Sequence, residues 1–190
     1  MVEIFYYVKN EDLTSYLNYG IKLSETFDKK LLVNNLEKLY ISGLLNPKDD
    51  LEKFNNQDDY TCVRLLLDNI NLKIADNYLF DTKYYENSII DLSEYRLGNY
   101  IKPEVLIPVS ILPEDIEVID YERDYPLLYD NSNELYVNNL IENISLTLSN
   151  SDLIKLKALL EEFSKVNNLK KETINGKNFY IAEDGNMLYL

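Results

Sequence analysis

The side chains available for chemistry in this sequence are carboxylates, tyrosines, serines, lysines and one thiol. The 190 residues contain no histidine and a single cysteine, Cys62. These counts exclude a Ser-His-Asp or Cys-His nucleophile, a histidine-ligated metal, an intrachain disulfide and a zinc site built from several cysteines. Cys62 lies in an apolar, β-branched run with no histidine to activate it. We therefore expect a buried, unreactive thiol there.

The sequence contains neither a glycine-rich nucleotide-binding loop nor a complete calcium-binding loop. The five glycines are isolated from one another, so there is neither a Walker-type phosphate loop nor a dinucleotide GxGxxG fingerprint. The run from Asp130 to Glu134 is similar to the start of a calcium-binding loop, but Leu135 stands where glycine is needed and Ile141 where a bidentate glutamate is needed. We expect a capped loop at this position and no metal site in the chain.

Three short segments follow one another in a distinctive order. They are IFYYV…DLTSYLNYGI (4–21), LLNPKDD (44–50) and PEVLIPVSILPEDIEVI (103–119). Together they cover about a quarter of the chain. They resemble the opening strand and helix, the Asn-Pro segment and the glutamate-bearing strand of ADP-ribosyltransferase-like proteins of the DarT type.

The resemblance implies an α+β fold with a split β-sheet core and short helices, which holds NAD as a co-substrate in a cleft. It places Glu104 at the catalytic glutamate, which would hold a ribose hydroxyl and stabilise the positive charge that develops as nicotinamide leaves. It places Tyr6, Tyr7, Asn46 and Lys48 in NAD binding. Tyr7 replaces a histidine of the family and Lys48 replaces an arginine, which removes a bidentate fork. The resemblance therefore implies a toxin-related protein and leaves open whether its activity is kept, altered or lost.

Each of these residues also has an ordinary structural interpretation. Glu104 would then be a solvent-facing strand residue, Asn46 part of a plain turn, and Lys48 a solvated lysine on that turn. The tyrosine pairs at 6–7 and 84–85 would be half-buried strand positions, or a stacking wall for a flat ring.

The charge balance favours a competing function. Thirty-three acidic residues against 19 basic ones give a net charge of −14. This field repels phosphate backbones, so non-specific nucleic-acid binding is disfavoured. An acidic surface also accelerates association with a basic protein. The alternative to an NAD-binding enzyme is thus a non-enzymatic module that binds a protein partner, such as an antitoxin, an immunity protein or an inhibitor.

The elements that would position these residues can be predicted from hydrophobic patterns. The first strand covers EIFYYV, and a helix runs from Asn10 to Gly20. Residues 24–40 have roughly helical spacing, residues 51–59 are a polar loop, and residues 61–68 and 104–112 are strands. We expect residues 4–8 and 104–111 to be central or near-central strands of one sheet. A tyrosine- and aspartate-rich loop covers 120–131.

The C-terminal part has a different character. We predict a helix over 132–148 and a second over 152–167 that buries Leu153, Leu156, Leu160 and Phe163. Asn-Gly at 175–176 and Asp-Gly at 184–185 predict a three-stranded meander to the end. We therefore divide the chain into a core, 1–150, and an appendage, 151–190. No signal peptide or membrane span is indicated, so we expect a cytoplasmic protein with no membrane partner.

Overall fold

The computed structural model describes residues 1–33, 36–68, 71–119, 131–174, 176–183 and 187–189. Helices and antiparallel sheets both contribute, which confirms the α+β class. The helices are α1 (Asn10–Tyr19), α2 (Leu51–Asn55), α3 (Tyr85–Ser88), α4 (Ser132–Thr147) and α5 (Asn150–Val166). The strands are β1 (Val2–Lys9), β2 (Lys29–Val33), β3 (Leu36–Gly43), β4 (Tyr60–Leu67), β5 (Lys73–Asp76), β6 (Ile90–Asp91), β7 (Pro103–Ile107), β8 (Ile116–Val118), β9 (Lys170–Ile174), β10 (Lys177–Ile181) and β11 (Met187–Tyr189).

The first sheet has the order β1-β4-β8 and is antiparallel throughout. β1 pairs with β4 along its whole length, from Val2 opposite Leu67 to Lys9 opposite Tyr60. Buried positions on these strands include Ile4, Val8 and Cys62, and the thiol residue has no exposed surface. The prediction of a buried cysteine is confirmed.

The second sheet has the order β2-β3-β7-β5-β6. β7 lies at its centre and all five of its residues are buried. β1 and β7 therefore belong to different sheets, and the prediction that they share one is wrong. β7 also ends at Ile107 rather than at residue 111, because Pro108 has no N–H with which to continue a ladder.

The two sheets meet where β3 leaves the second sheet. Backbone hydrogen bonds join Phe5 and Leu44 in both directions, and Gly43 precedes this contact. The helix predicted over 24–40 is wrong, since this segment contains the β2–β3 hairpin. Pairing with β7 satisfies the backbone of β3 and buries Tyr40 and Ile41, which outweighs a weak helical periodicity.

The polar segment 51–59 begins with α2 rather than with a loop. The Asp50 carboxylate accepts a hydrogen bond from the Lys53 N–H at 3.1 Å and so caps this short helix. At the other end of the core, α1 ends at Gly20 as predicted. Gly20 has φ of 76°, and a Cβ there would lie 2.2 Å from the Ile111 carbonyl oxygen.

The predicted C-terminal elements are confirmed as α4, α5 and a meander of order β11-β10-β9. The predicted burial of α5 is wrong for Phe163, which is 50% exposed. Leu153, Leu156 and Leu160 are half-buried, so α5 packs along a narrower stripe than its hydrophobic pattern suggests. Residues 120–130, Asn175 and residues 184–186, on which the loop and turn predictions fell, lie outside the described residues.

Hydrogen bonds cross the predicted boundary at residue 150. Asn138 of α4 donates to the Met187 carbonyl at 2.9 Å and accepts from the Tyr189 N–H at 3.0 Å. Helix α4 is thus tied to the meander, and the division at 150 stays a prediction. Across the described ranges, no helix combines the length and the apolar character needed to cross a membrane.

Candidate functional site

Glu104 lies at the centre of the second sheet and is 3% exposed. Its carboxylate accepts three hydrogen bonds. Lys29 Nζ donates to Oε1 at 2.5 Å, the Tyr85 hydroxyl donates to Oε1 at 2.7 Å, and the Ser42 hydroxyl donates to Oε2 at 2.5 Å. The interpretation of Glu104 as a solvent-facing residue is wrong. A buried carboxylate held by three donors has a fixed orientation.

Lys29 is held as tightly as its partner. Its ammonium group also donates to Asn77 Oδ1 at 2.6 Å. It lies 3.6 Å from the centre of the Phe80 ring and 4.8 Å from that of Tyr85. Both side chains of the Lys29–Glu104 ion pair are at least nine-tenths buried. Aromatic faces and an amide oxygen compensate for the water that the ammonium group has lost.

Tyr85 supplies a neutral donor to this pair. Burial raises the pKa of the Tyr85 hydroxyl, and the hydrogen bond to Glu104 raises it further. The phenol therefore stays protonated and donates to the carboxylate.

A cleft of about 230 Å³ opens between the two sheets beside Glu104. Tyr6 and Tyr7 line it from the first sheet. Lys29, Ser42 and Glu104 line it from the second. Charged side chains surround the space, and these are Asp28, Asp49, Asp50, Glu104, Lys29, Lys53 and Lys102. Carboxylates outnumber lysines by one in this lining, so the cleft suits a ligand group that is neutral or cationic.

Asp28 is a second acidic side chain that lines the cleft, and the residue as a whole is exposed to solvent. It accepts a hydrogen bond from the Ser42 N–H at 2.8 Å and another from the Tyr6 hydroxyl. Partial desolvation at the cleft raises the pKa of Asp28 above its usual range. Burial and the neighbouring Asp28 charge also raise the pKa of Tyr6, which keeps that phenol protonated.

Tyr7 and Asn46 hold the turn that follows the sheet junction. The Tyr7 hydroxyl donates to the Pro47 carbonyl at 3.0 Å. Asn46 is fully buried, and its Oδ1 accepts from the Lys48 N–H at 3.0 Å as the cap of the 3-10 turn Pro47–Asp49. Tyr7 lines the cleft, whereas Asn46 is not part of its wall. The structure gives Asn46 the role of shaping the turn that presents Lys48.

Lys48 lines an outer pocket of about 460 Å³ rather than the cleft itself. Lys102 and Asp49 line both spaces, so the outer pocket adjoins the cleft. Tyr78, Asn131 and Asn133 also line the outer pocket. Lys48 and Lys102 make this pocket the more favourable of the two for an anionic group.

Comparison with known proteins finds no family model, no curated protein and no solved structure that matches this chain.

Asp49 joins the outer pocket to the start of α4. Its carboxylate accepts hydrogen bonds from the N–H and the hydroxyl of Ser132, both at 2.7 Å. Burial raises the pKa of Asp49 to about 6, although the bonds from Ser132 oppose the shift. Next to it, Asn131 Oδ1 accepts from the Glu134 N–H at 2.9 Å and caps α4, as expected of a capped loop. Among the described residues, no group of three or more acidic or cysteine side chains is arranged to hold a metal.

The resemblance pointed to Glu104 as a site residue, but the sequence did not predict the three residues that donate hydrogen bonds to it. Lys29, Ser42 and Tyr85 come from β2, β3 and α3, and only sheet pairing brings these segments together. The one available signal was the Tyr84–Tyr85 pair, of which Tyr85 is buried and Tyr84 is exposed.

Proposed function

We propose that this chain is an ADP-ribosyltransferase-like protein that binds NAD between its two sheets. In this proposal Glu104 stabilises the positive charge that develops on the ribose as nicotinamide leaves. The observation that carries the proposal is the position of Glu104, which is buried beside a cleft whose opposite wall presents Tyr6 and Tyr7. A fixed carboxylate of this kind acts best on positive charge that grows in the transition state.

The chemistry follows from the acceptor capacity of Glu104. A carboxylate has about four lone-pair positions. Oε1 uses two for Lys29 and Tyr85, and Oε2 uses one for Ser42. One position on Oε2 is left for a ribose hydroxyl. When the bond between the ribose carbon and nicotinamide breaks, its electron pair returns to the nicotinamide ring, and the negative charge on Glu104 stabilises the positive charge left on the sugar.

The two spaces suit two neighbouring parts of the dinucleotide, the nicotinamide ring and the pyrophosphate. Carboxylates predominate in the cleft, which favours the cationic nicotinamide ring. Lys48 and Lys102 favour the pyrophosphate in the outer pocket. Lys48 acts there as a point charge rather than as a bidentate fork, so we expect weaker and less oriented binding than an arginine would give.

The test combines NAD binding with nicotinamide release. Wild type should bind NAD in calorimetry, show a higher unfolding temperature with millimolar NAD, and release nicotinamide. Glu104→Gln should keep most of the affinity and lose a hundredfold to a thousandfold of the rate, equivalent to about 2.7–4 kcal/mol. Glu114→Gln, which changes an exposed carboxylate in the 3-10 turn Pro113–Asp115, is the control and should behave as wild type.

Two results would contradict the proposal in different ways. If NAD neither releases heat nor raises the unfolding temperature, the chain is not an NAD-binding protein. If wild type releases nicotinamide and Glu104→Gln does so at the same rate, Glu104 is not the catalytic residue.

The second candidate is an acidic module that binds a protein. The net charge of −14 supports it, and so does a series of exposed apolar side chains on the last two helices. These are Leu140, Ile144, Leu146, Ile154, Leu159, Phe163 and Val166. A basic partner captured at low salt, released at high salt and lost by Phe163→Ser would favour this function over NAD binding.

A further inference from the structure

The carboxylates of Glu104 and Asp28 both line the cleft, but they have different hydrogen-bond and charge partners. Glu104 is paired with Lys29 and also accepts hydrogen bonds from Tyr85 and Ser42. Asp28 is bonded to a backbone N–H and to a phenol. In the described part of the chain, no lysine or arginine forms an ion pair with it. Neighbouring acids that are placed in such different surroundings commonly divide charge stabilisation and proton transfer between them.

We propose that Asp28 is the proton acceptor of the site and removes the proton from the nucleophile that attacks the ribose carbon. The inference rests on the proposed function and adds a second catalytic residue to it. The nucleophile forms a bond to the ribose carbon, the bond to nicotinamide breaks with its electron pair, and the nucleophile's proton passes to an Asp28 oxygen. With water as the nucleophile, the products are ADP-ribose, nicotinamide and protonated Asp28.

Ser42 fixes the relation between the two carboxylates. Its N–H donates to Asp28 at 2.8 Å, while its hydroxyl donates to Glu104 at 2.5 Å. One residue of β3 therefore holds both acids at the same cleft. This arrangement can present Glu104 to the sugar and Asp28 to the incoming group at a constant separation.

The surroundings of Asp28 suit reversible proton uptake. Partial desolvation at the cleft and the charge of Glu104 on β7 favour the protonated form, whereas Lys53 on α2 and the hydrogen bonds from Ser42 and Tyr6 favour the charged form. The net effect raises the pKa of Asp28, which brings it closer to the pH at which a carboxylate is an effective base. Lys29, Asp49, Asp50 and Lys102 are the other charged groups that line the same space.

The first experiment compares nicotinamide release from NAD in water by wild type, Asp28→Asn and Asp28→Ser. Both variants should bind NAD with nearly unchanged affinity and lose a hundredfold or more in kcat. The acidic limb of the wild-type pH profile should disappear in both. Asp28→Ser is included because a hydroxyl can still accept from the Ser42 N–H if the asparagine variant folds poorly. Asp58→Asn, at an exposed position outside the cleft, is the matched control.

The second experiment adds azide, an anionic nucleophile that carries no proton to remove. Azide should restore the rate of nicotinamide release in the Asp28 variants and leave Glu104→Gln slow. The role of Asp28 would be overturned if Asp28→Asn released nicotinamide at the wild-type rate, or if azide did not restore the rate of the slow Asp28 variants. Either result would leave the proposed function standing. If wild type releases no nicotinamide with water or azide, the proposed function and this inference both fail.

Discussion

Phe5 of β1 and Leu44, the residue after β3, form a reciprocal pair of backbone hydrogen bonds. Phe5 N–H donates to the Leu44 carbonyl at 2.9 Å, and Leu44 N–H donates back to Phe5 at 2.7 Å. The two sheets are therefore joined one residue before Tyr6 and two residues before Asn46. This junction sets the distance between the tyrosine wall of the cleft and the turn that carries Lys48.

The first prediction concerns the glycine beside this junction. A Cβ at Gly43 would lie 2.2 Å from Ile4 Cγ2, which is fully buried. Gly43→Ala should therefore lower the free energy of unfolding by about 1–3 kcal/mol through overpacking. Gly176→Ala meets no atom within 4 Å and should cost only the strain of its positive φ, about 1 kcal/mol. Urea unfolding measures both, and equal losses would mean that the sheets can separate to admit a methyl group.

The second prediction concerns the Lys29–Glu104 ion pair. Lys29→Met removes the partner of a buried charge and should lower the free energy of unfolding by about 3–5 kcal/mol. Lys30→Met is the matched control, because the next residue forms an exposed pair with Glu37, and its effect should stay within about 1 kcal/mol. The double variant Lys29→Met with Glu104→Gln should be more stable than Lys29→Met alone. Denaturant unfolding of the four proteins tests this ordering, and equal losses at positions 29 and 30 would contradict it.

The third prediction is a pH dependence caused by Asp49. Its pKa is about 6 in the folded state against an ordinary value of 3.8, so the folded chain binds the proton more tightly than the unfolded chain. The resulting stabilisation is complete below pH 3.8 and is lost as the pH rises through about 6. Between pH 4 and pH 7, the stability of wild type relative to Asp49→Asn should fall by about 2–3 kcal/mol.

Urea unfolding at several pH values measures this difference, with Asp58→Asn as the control for loss of one carboxylate. A difference that stays constant between pH 4 and pH 7 would show that burial does not perturb Asp49. A difference that grows with pH would mean that the hydrogen bonds from Ser132 outweigh burial.

The fourth prediction concerns the contact between α4 and the meander. Asn138→Ala leaves the Met187 carbonyl and the Tyr189 N–H without their partner, at a cost of about 1–3 kcal/mol. The Tyr189 amide should then lose protection in hydrogen exchange. Asn139→Ala is the control, because that side chain bonds to the Leu97 carbonyl instead. Unchanged protection of Tyr189 in Asn138→Ala would show that the meander is held by its own strands alone.

Local patterns predicted the elements whose signals are contained within one segment. The α+β class, β1, β4, α1, α4, α5 and the meander follow from apolar periodicity, caps and turns within each stretch. The β2–β3 hairpin could not be predicted in this way, because β3 is stabilised by pairing with β7, more than 60 residues further along the chain. The same limit applies to Phe163, whose exposure depends on which neighbours α5 meets.

In the candidate site, too, only the residues that lie in a recognisable local segment could be predicted from the sequence. The resemblance led to Glu104, Tyr6, Tyr7, Asn46 and Lys48 because each belongs to a short recognisable segment. Lys29 and Ser42 carry no such signal, since a lysine in a polar stretch and a serine before glycine are ordinary residues. Their importance arises from the register of β2 on β3, in which Lys29 faces Tyr40, and from that of β3 on β7, in which Ser42 faces Leu106.

Cys62 gives the molecule a built-in chemical reporter. The chain has one thiol, and it lies on β4 opposite Tyr7 with no exposed surface. A thiol reagent can reach it only after the first sheet opens, so the labelling rate measures how often that happens. A ligand that fills the space beside Tyr6 and Tyr7 will slow labelling in proportion to its occupancy. Ligands can thus be found by screening for compounds that slow the disappearance of free thiol, without any assumption about the reaction that the protein catalyses.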